Sequence, residues 1–445
     1  MRPDDAARNT RVIFSVGVVY WPGRTAFSMW TLFDAGEIRE DFARIAELGL
    51  DTVRFFLRWD AFQPAPDRVD AAMLDRLEEI VSLANDTGLA CVPTLFTGHM
   101  AGVNFVPEWA LSRSRPRGRY RSISNGAESP FACGDLYRGT LLEAQVVLAR
   151  AVGERLRGRA NVRAIDIGHD VGSLREPSHA KVTSGEHSTE PVDERVVAAW
   201  SKRLSDVVRD TSALPVTMGT VAADLTDDRN LRLGTLCVPF GFASMQGSTV
   251  DLAFARNRLD PEAIPFLAMI AATWSYHDVT VTGFGNPTCP PDRFTAFERF
   301  ARDDESPNPS VAADDGVFAT FPCLSDDENA AYCTAVLERL HADGRLGAYW
   351  WCWSDFERSH TEPPFDLAAH ERTFGIVRSD GSEKPVAAAL SAFARERRRV
   401  VASDDMPMIA GTYYYRTLPA STSTLYEAFL RHVSGRRGGE ARSGT

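Results

Sequence analysis

Apolar runs of strand length alternate with stretches of helical period from residue 12 to about residue 395. The first run is Val12-Ile13-Phe14-Ser15-Val16-Gly17-Val18. Asp34 then opens a helix, with Glu37 three residues on as in a capping box. Ile38, Phe42, Ile45 and Ala46 follow at helical spacing, and Gly49 ends the stretch. Thr52–Phe56 is the second strand, and Asp70 opens a helix carrying Leu74, Leu77, Ile80, Val81 and Ala84. The alternation predicts further strands at 90–95, 162–167, 214–218, 236–240, 278–282 and 347–351. Helices are predicted at 139–157, 192–210, 261–273 and 325–341. Strands that alternate with helices in this way predict an α/β protein whose parallel sheet closes into a (β/α)8 TIM barrel. An open doubly wound sheet is the alternative, but no Gly-rich phosphate loop follows the first strand.

Three segments are too long for simple connectors: about 98–135, 171–191 and 286–324. They follow the third, fourth and seventh strands, so all sit at the carboxyl face, where such barrels place their sites. They predict a covered pocket rather than surface decoration. The division reads as a tail over 1–11, a barrel over 12–399, a small appendage over 400–432 with a helix at 423–432, and a disordered Gly/Arg/Ser-rich tail over 433–445.

A net charge of −11 argues against nucleic acid or an anionic membrane surface as partner, since both need a basic footprint. No apolar run approaches the roughly 18 residues of a membrane span. Met1-Arg2-Pro3-Asp4-Asp5 lacks the apolar stretch of an export signal. The seven cysteines are scattered, with no C-x-x-C pair, and suggest neither a zinc site nor a disulfide framework. A cytoplasmic protein without metal or cofactor is expected. Lys181, Lys202 and Lys384 are the only lysines among 49 basic residues.

Specific residues fall at the strand ends. Gly17-Val18-Val19-Tyr20-Trp21-Pro22 follows strand one, and Arg54 lies in strand two, with Trp59 and Phe62-Gln63-Pro64 beyond. Gly98-His99-Met100-Ala101-Gly102 leads to Pro107-Glu108-Trp109. Ile165-Asp166-Ile167-Gly168-His169-Asp170 closes strand four. Trp351-Cys352-Trp353-Ser354-Asp355 follows strand eight, then Phe374-Gly375-Ile376-Val377, Asp380-Gly381 and Lys384-Pro385. In this order, over about 13–395, the chain resembles the retaining glycoside hydrolases with (β/α)8 barrels, nearest the family 5 cellulases and mannanases.

That resemblance implies two carboxyl groups about 5–5.5 Å apart across the glycosidic bond. The family's acid/base is the Glu of an Asn-Glu pair ending strand four; the matching pair here is His169-Asp170. Its nucleophile is the Glu of a Glu-Phe-Gly segment ending strand seven; the matching segment here is Gly283-Phe284-Gly285. Its His-x-Tyr after strand six corresponds to Gln246 and Ser248. Glycine cannot attack an anomeric carbon, and no Asp or Glu lies between Val279 and Pro290. Glu176, in Arg175-Glu176-Pro177-Ser178, and Asp355 are possible substitute carboxylates.

Aromatic rings at a barrel mouth suit stacking against sugars, and Trp21, Trp59, Trp351 and Trp353 are the candidates; core packing is the competing explanation for each. Arg54, His99, Gln246, Ser248 and Asp355 add hydrogen-bonding groups. Three functions stay open: a barrel that binds a carbohydrate or glycosylated small molecule without hydrolysing it; a barrel repurposed for acid/base chemistry through His169 and Asp170; and a glycosidase pairing Asp170 with Glu176 or Asp355. The expected partner is a small sugar-like molecule. Oligomeric state is left undetermined.

Overall fold

The computed structural model describes residues 12–116, 120–174, 193–227, 229, 231–288, 324–402 and 411–443. Eight parallel strands close a barrel: Ser15–Val19, Thr52–Arg58, Ala90–Thr97, Ile165–His169, Val216–Val221, Ala243–Gly247, Val279–Phe284 and Gly347–Trp351. The first strand pairs with both the second and the eighth, Val18 lying beside Val53 and Trp350, so no edge is left open.

Seven of these strands lie where the apolar pattern puts them; the sixth does not. Leu233–Leu236 is a short helix, and the strand comes later, at Ala243–Gly247. The denser apolar run at 236–240 is a turn that buries Leu236, Cys237 and Phe240 and leaves Val238 71% exposed.

The helices begin where side chains cap them. Asp34 accepts from the Gly36 and Glu37 amides, although the Glu37 carboxylate turns to Arg24 rather than completing a box. Ser325 and Glu328 cap each other's amides at the start of Asp326–Ala342. The segment after strand three, predicted only as a long loop, forms a four-stranded and a two-stranded sheet between His99 and Cys133.

The barrel interior is polar at its centre. Arg54 and Asp166 are both fully buried there, 2.7 Å apart, and Thr94 Oγ1 bonds to both. The chain from Gly411 is helical and packs onto the barrel rather than standing apart. Tyr414 stacks on Trp274 at 4.3 Å, and Tyr426 and Phe429 meet Phe266 at 4.9 and 5.5 Å. The last helix, Ala420–Ser443, runs on through the stretch expected to be disordered. Among the described residues no helix is long and apolar enough to cross a membrane.

Candidate functional site

The strand ends surround a cavity of about 590 Å³. His99, His169, Asp170, Gln246, Ser248, Gly283 and Trp351 line it, so the strand-end reading brings these seven together. Beneath them every nitrogen of the Arg54 guanidinium donates. Its Nε donates to Thr94 Oγ1 at 3.1 Å and its Nη2 to Asp166 Oδ2 at 2.7 Å. Its Nη1 donates to Gln246 Oε1 at 2.7 Å and to the Thr282 carbonyl at 3.2 Å. Asp166 Oδ1 accepts from the Gly168 and Gly219 amides at 3.1 and 3.0 Å. Burial raises the Asp166 pKa and lowers that of Arg54, and in each case the partner opposes the shift. Gly219 makes the pairing possible: a Cβ there would stand 2.5 Å from Arg54 Nη2. Arg54 is therefore a positioning residue under the floor, not a group that meets a ligand.

This arrangement favours a neutral His169 ring. A guanidinium has no acceptor, so Gln246 must turn its oxygen to Arg54 and its amide NH2 to the His169 ring, 2.7 Å from Nδ1 and 3.4 Å from Nε2. Burial, then Arg54 and His99, hold the His169 pKa well below the ordinary value. His169 thus presents a neutral ring at the cavity wall.

Asp170 follows in a left-handed backbone conformation, φ +46°. Its Oδ1 accepts from Ser173 Oγ at 2.8 Å and from Arg229 Nη1 at 3.1 Å. Its Oδ2 lies 3.5 Å from His99 Nε2, and His99 Nδ1 is 2.7 Å from Asn104 Oδ1. Arg229 also pairs with Asp224 at 3.2 Å. Burial works against the Arg229 charge, but Asp224 and Asp170 outweigh it and raise its pKa. Asp224 is pushed up to about 6 by burial, with Arg229 opposing and Asp170 adding to the shift.

At the end of strand seven, a Cβ on Gly283 would meet Gln246 Cβ and Oε1 at 3.2 Å each. The amide held between Arg54 and His169 packs against that glycine. Ser248 Oγ donates to Asn286 Oδ1 at 2.9 Å. The opposite wall comes from the short helix Ala369–Thr373 after strand eight, which contributes His370 and Glu371. Asp251, from the turn after strand six, also lines the cavity. Burial, then Asp251, pushes Glu371 up to about 8, while burial, then Arg258, takes His370 down to about 4.

Four sequence candidates lie elsewhere. Trp21 is fully buried and stacks on Phe56 at 5.7 Å. Trp59 is fully buried and donates to Gln63 Oε1 at 2.7 Å. Trp353 packs outside the cavity, 5.5 Å from the Arg44 guanidinium, with its N–H toward Asp41. These three indoles are core, which leaves Trp351 alone of the four on the wall. Asp355 is no ligand group either: Lys384 Nζ lies 2.7 Å from its Oδ1, and the Gly375 amide donates to the same atom at 2.8 Å. Glu176 lies outside the described residues. Sequence reasoning missed Asp166, Arg229, Asp251, His370 and Glu371 as parts of the site. Among the described residues no cluster of three His, Cys, Asp or Glu side chains is disposed to hold a metal.

No protein-family model and no curated protein sequence matches the chain. Solved structures do. A family 5, subfamily 18 glycoside hydrolase from Streptomyces cattleya, in complex with GlcNAc, superposes with a TM-score of 0.73 at 18% identity, over 95% of this chain and 92% of that one. The barrel fold is similar to that of this glycoside hydrolase. A variant of the Streptomyces cattleya protein in complex with Manβ1-4GlcNAc gives 0.71 at 18% identity, over 95% and 92% of the two chains. An exo-β-1,4-mannosidase from Opitutaceae bacterium strain TAV5 gives 0.66 at 23% identity, over 86% of this chain. This chain spans 59% of that mannosidase. At such identities the likeness is one of fold.

Proposed function

We propose that this protein holds a carbohydrate or glycosylated small molecule in the cavity and does not hydrolyse it by the retaining route. The observation that carries this reading is the wall at Gly283. A retaining enzyme needs a carboxylate there, and here the residue is a glycine with the neutral Gln246 amide packed against it. The neighbours' complexes with GlcNAc and Manβ1-4GlcNAc support a sugar as the ligand class. Trp351 offers a ring, and His169 and Ser248 offer polar contacts. The reading with His169 as a base is weaker, because protonating that ring would place a cation beside buried Arg54.

The test is calorimetric titration with GlcNAc and Manβ1-4GlcNAc alongside turnover of aryl β-mannosides and β-glucosides. Binding without turnover is expected, since losing a catalytic group costs several powers of ten, roughly 10³ or more. Azide should accelerate cleavage little, because Gln246 crowds the approach to Gly283. Robust turnover by the wild-type protein would sink the reading.

A further inference from the structure

The helix Ala369–Thr373 follows the eighth strand, four places round the barrel from the strand of His169 and Asp170. It is tied down at one end. Arg372 donates to the His360 and Phe365 carbonyls, and the Thr373 carbonyl accepts from the Thr288 amide at 3.1 Å and from Lys384 Nζ at 2.9 Å. Just before these anchors, His370 and Glu371 line the cavity.

The Glu371 side chain is only 16% exposed, and among the described residues no hydrogen-bond donor reaches its carboxyl group. Its surroundings give an anion little support. His370 Nε2 is 3.7 Å away, but burial and then Arg258 keep that ring neutral near pH 7. Asp251, facing it from the turn after strand six, is a like charge. Cys352, at the end of strand eight, is a thiol kept protonated by burial. A carboxyl group in such a place holds its proton, and a protonated carboxyl is a donor.

We propose that Glu371 is the proton-bearing acid of this cavity, donating its proton or a hydrogen bond to an acceptor that enters from the mouth. The neutral ring of His169 faces the same cavity from the far side of the barrel. The cavity therefore selects acceptor-rich ligands, such as those presenting hydroxyl, acetamido or ring oxygens. The proposal rests on the carbohydrate reading only for the identity of that acceptor.

Diazoacetamide tests it without a sugar. The reagent takes the proton of a carboxylic acid, and the resulting diazonium alkylates the carboxylate with loss of dinitrogen; ionised carboxylates do not react. On the full chain at about pH 7, peptide mass spectrometry should find the ester chiefly at Glu371. The label should vanish at about pH 10, where the group is ionised, and in Glu371→Gln. Labelling scattered over surface acids, or unchanged between the two pH values, would overturn the proposal. Protection by Manβ1-4GlcNAc supports both readings. A Glu371 ester that GlcNAc and Manβ1-4GlcNAc both fail to protect supports the acid and counts against the carbohydrate. In titrations with Manβ1-4GlcNAc, wild-type affinity should fall roughly tenfold from about pH 6.5 to about pH 9.5, with Glu371→Gln flat over the range. Equal pH dependence in both proteins would also overturn it.

Discussion

At the residue scale, the interior of this barrel is a chain of dependencies: Asp166 holds Arg54, Arg54 orients Gln246, and Gln246 turns its amide NH2 to His169. Asp166→Ala leaves a buried guanidinium without its counter-charge and should cost about 3–5 kcal/mol in urea unfolding. Gly283→Ala should cost about 1–3 kcal/mol through its contact with Gln246, and much less in a Gln246→Ala background. Equal costs in both backgrounds would show that the amide does not fill that space. Glu371 gives the pH dependence. Its carboxyl ionises at about 8 in the folded protein and in the ordinary range near 4.3 when unfolded. The raised value stabilises the fold fully below the unfolded pKa, and that contribution is lost as pH rises toward 8. Between about pH 5 and pH 9 the wild type should therefore lose on the order of a few kcal/mol more than Glu371→Gln, read as the shift in urea midpoint.

At the element scale, the seven strands legible in the sequence are β-branched or aromatic runs buried on both faces. The sixth was hidden by its own role. Ser244 donates to the Met218 carbonyl at 2.7 Å and Gln246 bridges Arg54 and His169, so the strand is polar where a core strand is usually apolar. The site was legible for the same reason in reverse. His169, Asp170, Gln246 and Gly283 stand on or beside strand ends, and strand order fixes where they meet. Arg229, Asp251 and Glu371 stand on turns and short helices, where no periodicity sets direction. The tryptophans misled because a ring near a mouth serves equally well as a roof over the core. The C-terminal helices also belong to that core. Ending the chain at residue 402 would bare Trp274 and Phe266, each worth about 1.5–3 kcal/mol of burial. The shortened protein should melt several degrees lower, by about 4 °C or more, and bind a hydrophobic dye. An unchanged melt would show that the helices are ornamental.

At the scale of the whole molecule, the segment from strand eight to the last barrel helix works as a clasp across the mouth. Lys384 is its pin: nearly fully buried, it holds the Asp355 carboxylate, the Thr288 hydroxyl and the Thr373 carbonyl. Two of these lie on the strand-eight segment that carries Glu371, and the third lies just after strand seven. A buried ammonium with three acceptors cannot be acylated, so an amine reagent finds it only when the clasp opens. With three lysines in the sequence, and Lys202 on an exposed helix face, the chemistry is nearly background-free. The acetylation rate of Lys384 relative to Lys202 is thus a clock built into the chain, and it times how often the wall bearing Glu371 comes away from the barrel.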